Sequence, residues 1–174
     1  MSSTVRLGPA LVACALLIGA SQTGQAKESV PPFQAIELTG RHVGRADLLG
    51  KPAILIVTPG RRAAHNTRDW VDHLRSQLDL SAVRVRDLIV VELPFFMNDG
   101  DAIKAAKKVV PASYGNQTWL MSNPKLENAL GITPGSDSAQ ILVIDRNGTV
   151  RAHVTGGPDK QRIAEIRSAL ASIK

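Results

Sequence analysis

The chain has one cysteine in 174 residues, Cys14. A single thiol close to the N-terminus excludes an internal disulfide framework and any paired-cysteine redox motif. Aromatic residues are also scarce, at 3%. A protein that binds single-stranded nucleic acid needs aromatic platforms on which bases stack beside a basic groove. Long apolar runs are absent beyond the first residues. Leu7 to Ala20 is the only candidate, and it is shorter than the roughly 20 residues that span a bilayer.

What stands at the N-terminus reads as a secretory leader. Arg6 supplies the positive start, Leu7 to Ala20 the apolar middle, and Gly24 and Ala26 the small residues of a peptidase site. Cleavage after Ala26 is expected, leaving 27–174 as one exported, periplasmic domain with no membrane span. Two alternatives remain open. One is a retained anchor, which Gly8, Pro9 and Gly19 interrupt. The other is a lipoprotein, because Leu11-Val12-Ala13-Cys14 has the form of a lipobox. Against the latter, the apolar run continues past Cys14. If the leader is cut, the mature chain holds no thiol, and its stability comes from packing alone.

The formal charge is +6, and Arg6 would leave with the leader. Basic residues are spread along the whole chain with acids interleaved. That distribution reads as a solvated basic surface rather than a nucleic-acid footprint.

Hydrophobic period divides the rest. Phe33 to Leu38 suits a strand, followed by a turn at Thr39–His42 and a connection over Arg45–Lys51. Ala53 to Val57 is an unbroken apolar run between Pro52 and Pro59, the pattern of a strand buried on both faces. Trp70, Leu74 and Leu78 recur at helical spacing, with the helix beginning between Ala63 and Thr67. Leu88 to Val91 is a second buried strand. Asn98 or Asp99 can cap a helix that turns Ala102, Ile103, Ala106 and Val110 inward and stops at Pro111. Trp119 to Met121 is a short apolar segment, and Pro124 to Leu130 a short helix ended by Gly131. Gln140 to Asp145 and Thr149 to Thr155 form a hairpin about Asn147-Gly148, both residues that tolerate positive φ. Pro158 suits the first turn of a last helix, whose Ile163, Ile166, Leu170 and Ile173 share one stripe. The order predicts an α/β domain, a central mixed sheet flanked by helices on both faces.

Several of these segments together resemble exported thioredoxin-like proteins. Pro31 to Arg41 and Leu48 to Pro59 resemble their lead-in strand, turn and first core strand. Leu126 to Ile132, Ile141 to Gly157 and the closing helix resemble their last third. The stretch Ile54 to Trp70 is most similar to the redox-motif-lacking YtfJ-like periplasmic proteins. The resemblance implies a thioredoxin-like fold over Pro31 to Lys174. It also implies where a cysteine pair would lie, between the core strand and the first helix. That stretch is Pro59-Gly60-Arg61-Arg62-Ala63-Ala64-His65-Asn66, with no cysteine, serine or threonine in it. The proline that the family carries in cis opposite that pair is replaced, by alignment, with Ala139 or Ser138, where a trans bond is expected because a non-proline cis bond costs about 2.5–4 kcal/mol. Thiol–disulfide exchange and peroxidase chemistry are therefore not carried over.

The candidate site is the same loop, Pro59, Gly60, Arg61, Arg62 and His65, with the loop Gly135–Gln140 beside it, Ser138 and Ala139 facing the site. A helix start and two guanidinium groups favour an anion or an acidic partner; the plainer reading is a solvated basic loop, with the arginines touching water or Asp69. The first expectation is a non-enzymatic module for a protein partner or a small anionic ligand. Others are a cysteine-free enzyme with His65 as base and Arg61 or Arg62 holding an anionic substrate, and an inert structural subunit. No cofactor is expected. His42, His65, His73 and His153 form no metal-ligating pattern, and Ser81, Ser113 and Ser138 lie in no nucleophile elbow. Trp70 is expected in the core; Trp119, beside Gln117 and Thr118, is the better binding candidate of the two if the end of its short strand leaves it half exposed; and Phe95-Phe96-Met97 is expected packed under the next helix rather than forming an apolar contact patch.

Overall fold

The computed structural model describes residues 28–78, 81–122, 130–133 and 135–173. The leader residues Arg6 to Ala26, Cys14 among them, lie outside the described residues, as does most of the helix expected over Pro124–Leu130.

The strands are β1 (Gln34–Glu37), β2 (His42–Gly44), β3 (Ala53–Thr58), β4 (Arg84–Val90), β5 (Thr118–Met121), β6 (Gln140–Ile144) and β7 (Val150–Thr155). They form one mixed sheet in the order β2-β1-β5-β4-β3-β6-β7. β3 runs parallel to β4, and β4 to β5, while the outer pairings are antiparallel. The helices are α1 (Ala64–Gln77), α2 (Asp99–Ala106) and α3 (Lys160–Ser172).

β3 is central because every residue in it is buried. Its alternate side chains enter different cores. Ala53, Leu55 and Val57 pack with Leu88, Trp119 and Leu142 on one face. Ile54 and Ile56 pack with Trp70, Leu74, Ile141 and Ile166 on the other, beneath α1 and α3. α2 lies over that second face too, through Ala102, Ala106, Ile89 and Leu120. Two successive crossovers between parallel strands, stepping in one direction with the same hand, place their helices on the same side. All helices among the described residues therefore share one face. Val30, Leu48, Leu130 and Ile132 cover the opposite one.

Several boundaries differ from the sequence expectation, each for a local reason. The segment after β1 is not only a turn: Gly40 takes φ of +98°, and the chain returns as β2. β4 starts at Arg84, ahead of its apolar run, because Ala53 to Thr58 offers a partner along its whole length. Pro158 stands before the last helix, not in its first turn. Asp159 is the cap, its Oδ1 accepting from the Arg162 amide at 2.8 Å. At the hairpin only Gly148 takes positive φ. The Gly148 amide donates to Asp145 O, and the Asp145 amide to Thr149 O. This is a turn closed by a glycine, not one with both central residues left-handed.

That hairpin is pinned by a buried carboxylate. Asp145 Oδ1 accepts from the amides of Asn147 and Thr149, each at 2.9 Å, and Oδ2 from Arg151 Nε at 2.7 Å. Burial works against its ionised form, but these donors together hold the Asp145 carboxyl below the ordinary range.

Candidate functional site

β3 ends at Thr58, and the chain turns through Pro59 and Gly60 into a 3₁₀ turn, Arg61–Ala63, that runs directly into α1. No Ser, Thr, Asp or Asn stands where a side chain would cap this helix, and none caps it. Thr67, one turn in, instead bonds Thr58 across the junction, Oγ1 to Oγ1 at 2.8 Å, and donates to Ala63 O at 3.2 Å. The loop is thus fixed from its own helix.

It is also fixed from across the sheet end. The Gly135 amide donates to Pro59 O at 3.0 Å, and Arg62 Nε lies 2.6 Å from Asp137 Oδ1. Both side chains of that ion pair are exposed, so it contributes little to stability. The approach at Gly60 is closer: a Cβ there would stand 3.2 Å from Gly135 Cα. Gly60 has an extended backbone at φ of −175°, so its small size, not its conformational freedom, is what the site requires. Gly60→Ala should therefore cost about 1–2 kcal/mol by steric displacement of the Gly135 backbone. Urea denaturation measures this, and an unchanged midpoint would mean the two strands of loop are free to separate.

The structure brings together only part of the residue set expected from sequence. Pro59, Gly60, Arg61 and Arg62 form one lip with Gly135 and Asp137. His65 does not join them. It points into solvent, with Nε2 3.5 Å from Asp69 Oδ2 one turn along α1. Ala139 is fully buried in the core under α1 and α3, its carbonyl accepting from the Gly156 amide at 2.9 Å. The Ser138 amide turns back to Ser136 Oγ at 3.2 Å. Contact with the Pro59–Arg62 loop thus comes from Gly135 and Asp137, on the loop preceding Ser138 and Ala139. No peptide bond among the described residues is cis.

Beside this lip lies a feature the sequence reading did not find. A groove of about 500 Å³ runs from Pro59–Arg61 and Gly135, past the carboxyl end of β4, to α2. Its floor is Ile89 and Leu120, and its far wall is Ala102, Ala105, Ala106 and Val109. The groove exists because α2 presents alanines where a helix usually sets larger side chains on a sheet. The loop after β4 forms the remaining wall, with Leu93, Pro94 and Met97 lining it.

At the rim one expectation is overturned. Phe95 and Phe96 do not pack under α2. They stand 100% and 72% exposed as an edge-to-face pair, centroids 5.4 Å apart, on a turn closed by the Met97 amide and Pro94 O. Val109 is 80% exposed as well. The turn holds both rings out in solvent instead of in the recess beside α2. Trp119, the binding candidate had it been half exposed, is fully buried, with β1 paired outside β5. A run of alanines on the inward face of α2, next to adjacent phenylalanines in a Pro-led turn, was the available signal.

No protein-family model matches the chain, and no curated protein matches it. Solved structures do. The chain is similar to the pneumococcal exposed lipoprotein thioredoxin of Streptococcus pneumoniae, at 15% identity and a TM-score of 0.60, over 81% of this chain and 99% of that one. It is similar to the thioredoxin domain of a thiol-disulfide oxidoreductase from Bacteroides vulgatus, at 16% identity and a TM-score of 0.56, over 83% and 94%. It is also similar to BsSco, of the Sco family of cytochrome c oxidase assembly proteins, at 17% identity and a TM-score of 0.54, over 85% and 96%. At such identities the likeness is one of fold.

Proposed function

We infer, from a thioredoxin-like fold that carries Pro59–Asn66 where a cysteine pair would lie, that this chain is a binding domain and not a thiol enzyme. It is exported, by the leader that ends at Ala26, to the periplasm, a setting the likeness of Ile54–Trp70 to YtfJ-like proteins also supports. Its working edge is the lip of Pro59, Gly60, Arg61 and Arg62 with Gly135, and it takes a protein partner or a small anionic ligand.

The observation that carries this reading is that the lip, tied to the facing loop by the Gly135–Pro59 hydrogen bond, opens onto an apolar groove. Rigid elements with a few polar groups at the edge of an apolar recess are what recognition sites are built from. Arg62 is paired with Asp137, whereas Arg61 is exposed and has no ion-pair partner among the described residues. A His65-based enzyme is less well supported, because His65 sits in open solvent beside Asp69 and does not line the groove.

Two measurements test it. Arg61→Ala with Arg62→Ala should change what the tagged protein captures from a periplasmic extract; an unchanged set of partners sinks the site assignment. Insulin reduction by a small dithiol should proceed at its uncatalysed rate in the presence of the protein, and acceleration would overturn the loss of thiol chemistry. Stoichiometric co-purification with a larger assembly, insensitive to Arg61 and Arg62, would favour a structural subunit instead.

A further inference from the structure

The groove beside Arg61 is built for an apolar chain without amides. Of the side chains that line it only Arg61 and Glu92 are polar, both exposed, and both at its rim. The floor and walls, from Ile89 and Leu120 to Met97 and Val109, offer no side-chain hydrogen-bonding group. A peptide laid there would bury unsatisfied N–H and C=O groups, each costly. Nor could a peptide add as a strand at the floor, since β4 is already paired on both sides, with β3 and β5. An acyl chain has no such groups to satisfy, and a volume near 500 Å³ falls within the roughly 300–1,000 Å³ of small-ligand sites.

The rim decides the head group. Arg61 is the one lining cation, exposed and without an ion-pair partner among the described residues. A planar guanidinium suits a carboxylate or phosphate oxygen pair. Glu92, the other exposed polar side chain of the lining, is itself an anion and so offers an anionic head group nothing. Phe95, Phe96 and Val109 add exposed apolar surface at the entrance. We propose that the groove binds a free single-chain anionic amphiphile, its acyl chain on Ile89 and Leu120 against the alanines of α2 and its carboxylate or phosphate at Arg61. This rests on the reading of the Pro59–Arg62 lip as a binding edge and names its ligand class.

The test is titration of the purified chain with octanoate, decanoate and dodecanoate below their micellar concentrations, and with decanol, followed by calorimetry. Affinity should rise with each added methylene, by at most about fourfold per group buried. Arg61→Ala should weaken decanoate about tenfold and leave decanol nearly unchanged, the loss expected for one charge-assisted contact. Ala105→Phe, at an exposed groove position, should abolish binding of all of them while leaving the melting temperature in place. If Ala105→Phe fails to fold, the decanoate–decanol split under Arg61→Ala carries the test. No binding to the unaltered chain, or equal binding by a folded Ala105→Phe, overturns the proposal. Association only with phosphatidylglycerol vesicles, lost on Phe95→Ser with Phe96→Ser, overturns it in favour of a membrane surface. Loss of the amphiphile with Arg61-dependent protein capture intact would remove this ligand class and leave the binding edge standing.

Discussion

Trp70→Ala should destabilise the protein by about 4 kcal/mol, the loss expected for removing a whole indole from a core. Trp70 is fully buried where α1 crosses β3 and α3, in the cluster with Ile54, Ile56, Ile141 and Ile166. It also donates Nε1–H to Gly156 O at 2.6 Å, which ties α1 to the link between β7 and α3. Trp70→Phe keeps most of the packing and breaks that bond, leaving the Gly156 carbonyl to find water, and should cost about 1–2 kcal/mol. The other tryptophan provides the contrast. Trp119 is equally buried, 6.2 Å from the Phe33 ring with the Arg86 guanidinium 5.7 Å from its own, but its Nε1 has no hydrogen-bond partner among the described residues. Trp119→Phe deletes an unsatisfied donor along with some volume, so it should cost less than Trp70→Phe. Urea denaturation of the three variants decides this. Equal costs for the two phenylalanine changes would mean the Gly156 bond contributes nothing.

Asp87→Asn should stabilise the protein at neutral pH and leave it unchanged in acid. Asp87 sits on β4 facing α1, with Oδ1 fully enclosed and without a hydrogen-bond partner among the described residues. Burial pushes its carboxyl up to about 6, and nearby Arg75 and Arg86 with a bond from Thr118 only partly offset this. Arg75 is held away from a direct contact, its guanidinium 3.6 Å over the Tyr114 ring and 3.4 Å from Gln117 Oε1. The folded state therefore prefers the protonated acid. Asp87 imposes no cost below the ordinary carboxylate range near pH 4, and stability is lost as pH rises through about 6. Above that, the ionised carboxylate costs about 3 kcal/mol, the difference of roughly two pKa units. Asparagine has no charge to bury, so the gain from Asp87→Asn should grow across that window and level off above it. Asp145 and Asp47, whose carboxyls lie below the ordinary range, give the opposite slope in acid. Comparing variant with parent at each pH cancels them. A constant difference from pH 4 to 8 would show that Asp87 is not titrating in the fold.

How much of this was legible in the sequence depends on whether one segment could specify it. β3 and β6 were readable because their apolar runs are buried on both faces, which leaves no polar alternation to confuse them. The cap of α2 was readable from Asn98, and the stripe of α3 from Ile163 to Ile173. β2 was missed because three residues, His42 to Gly44, carry almost no pattern. The early start of β4 was missed because Arg84, Arg86 and Asp87 look like loop residues until the neighbouring strands enclose them.

The sequence by itself determined what the chain lacks, a thiol anywhere after Cys14, and the order of elements that resembles a thioredoxin-like domain. Composition and local period are properties of neighbours along the chain, and both survive without knowledge of the fold. Tertiary structure alone decided the groove beside the Pro59–Arg62 loop. The groove is assembled from the loop after β3, the end of β4 and the turn beyond it, α2, and Gly135, which are far apart in sequence. Only the parallel crossovers bring them to one end of the sheet. The same placement decided that Arg62 is paired and Arg61 has no ion-pair partner among the described residues, that His65 stands apart, and that Phe95 and Phe96 face solvent while Trp119 does not.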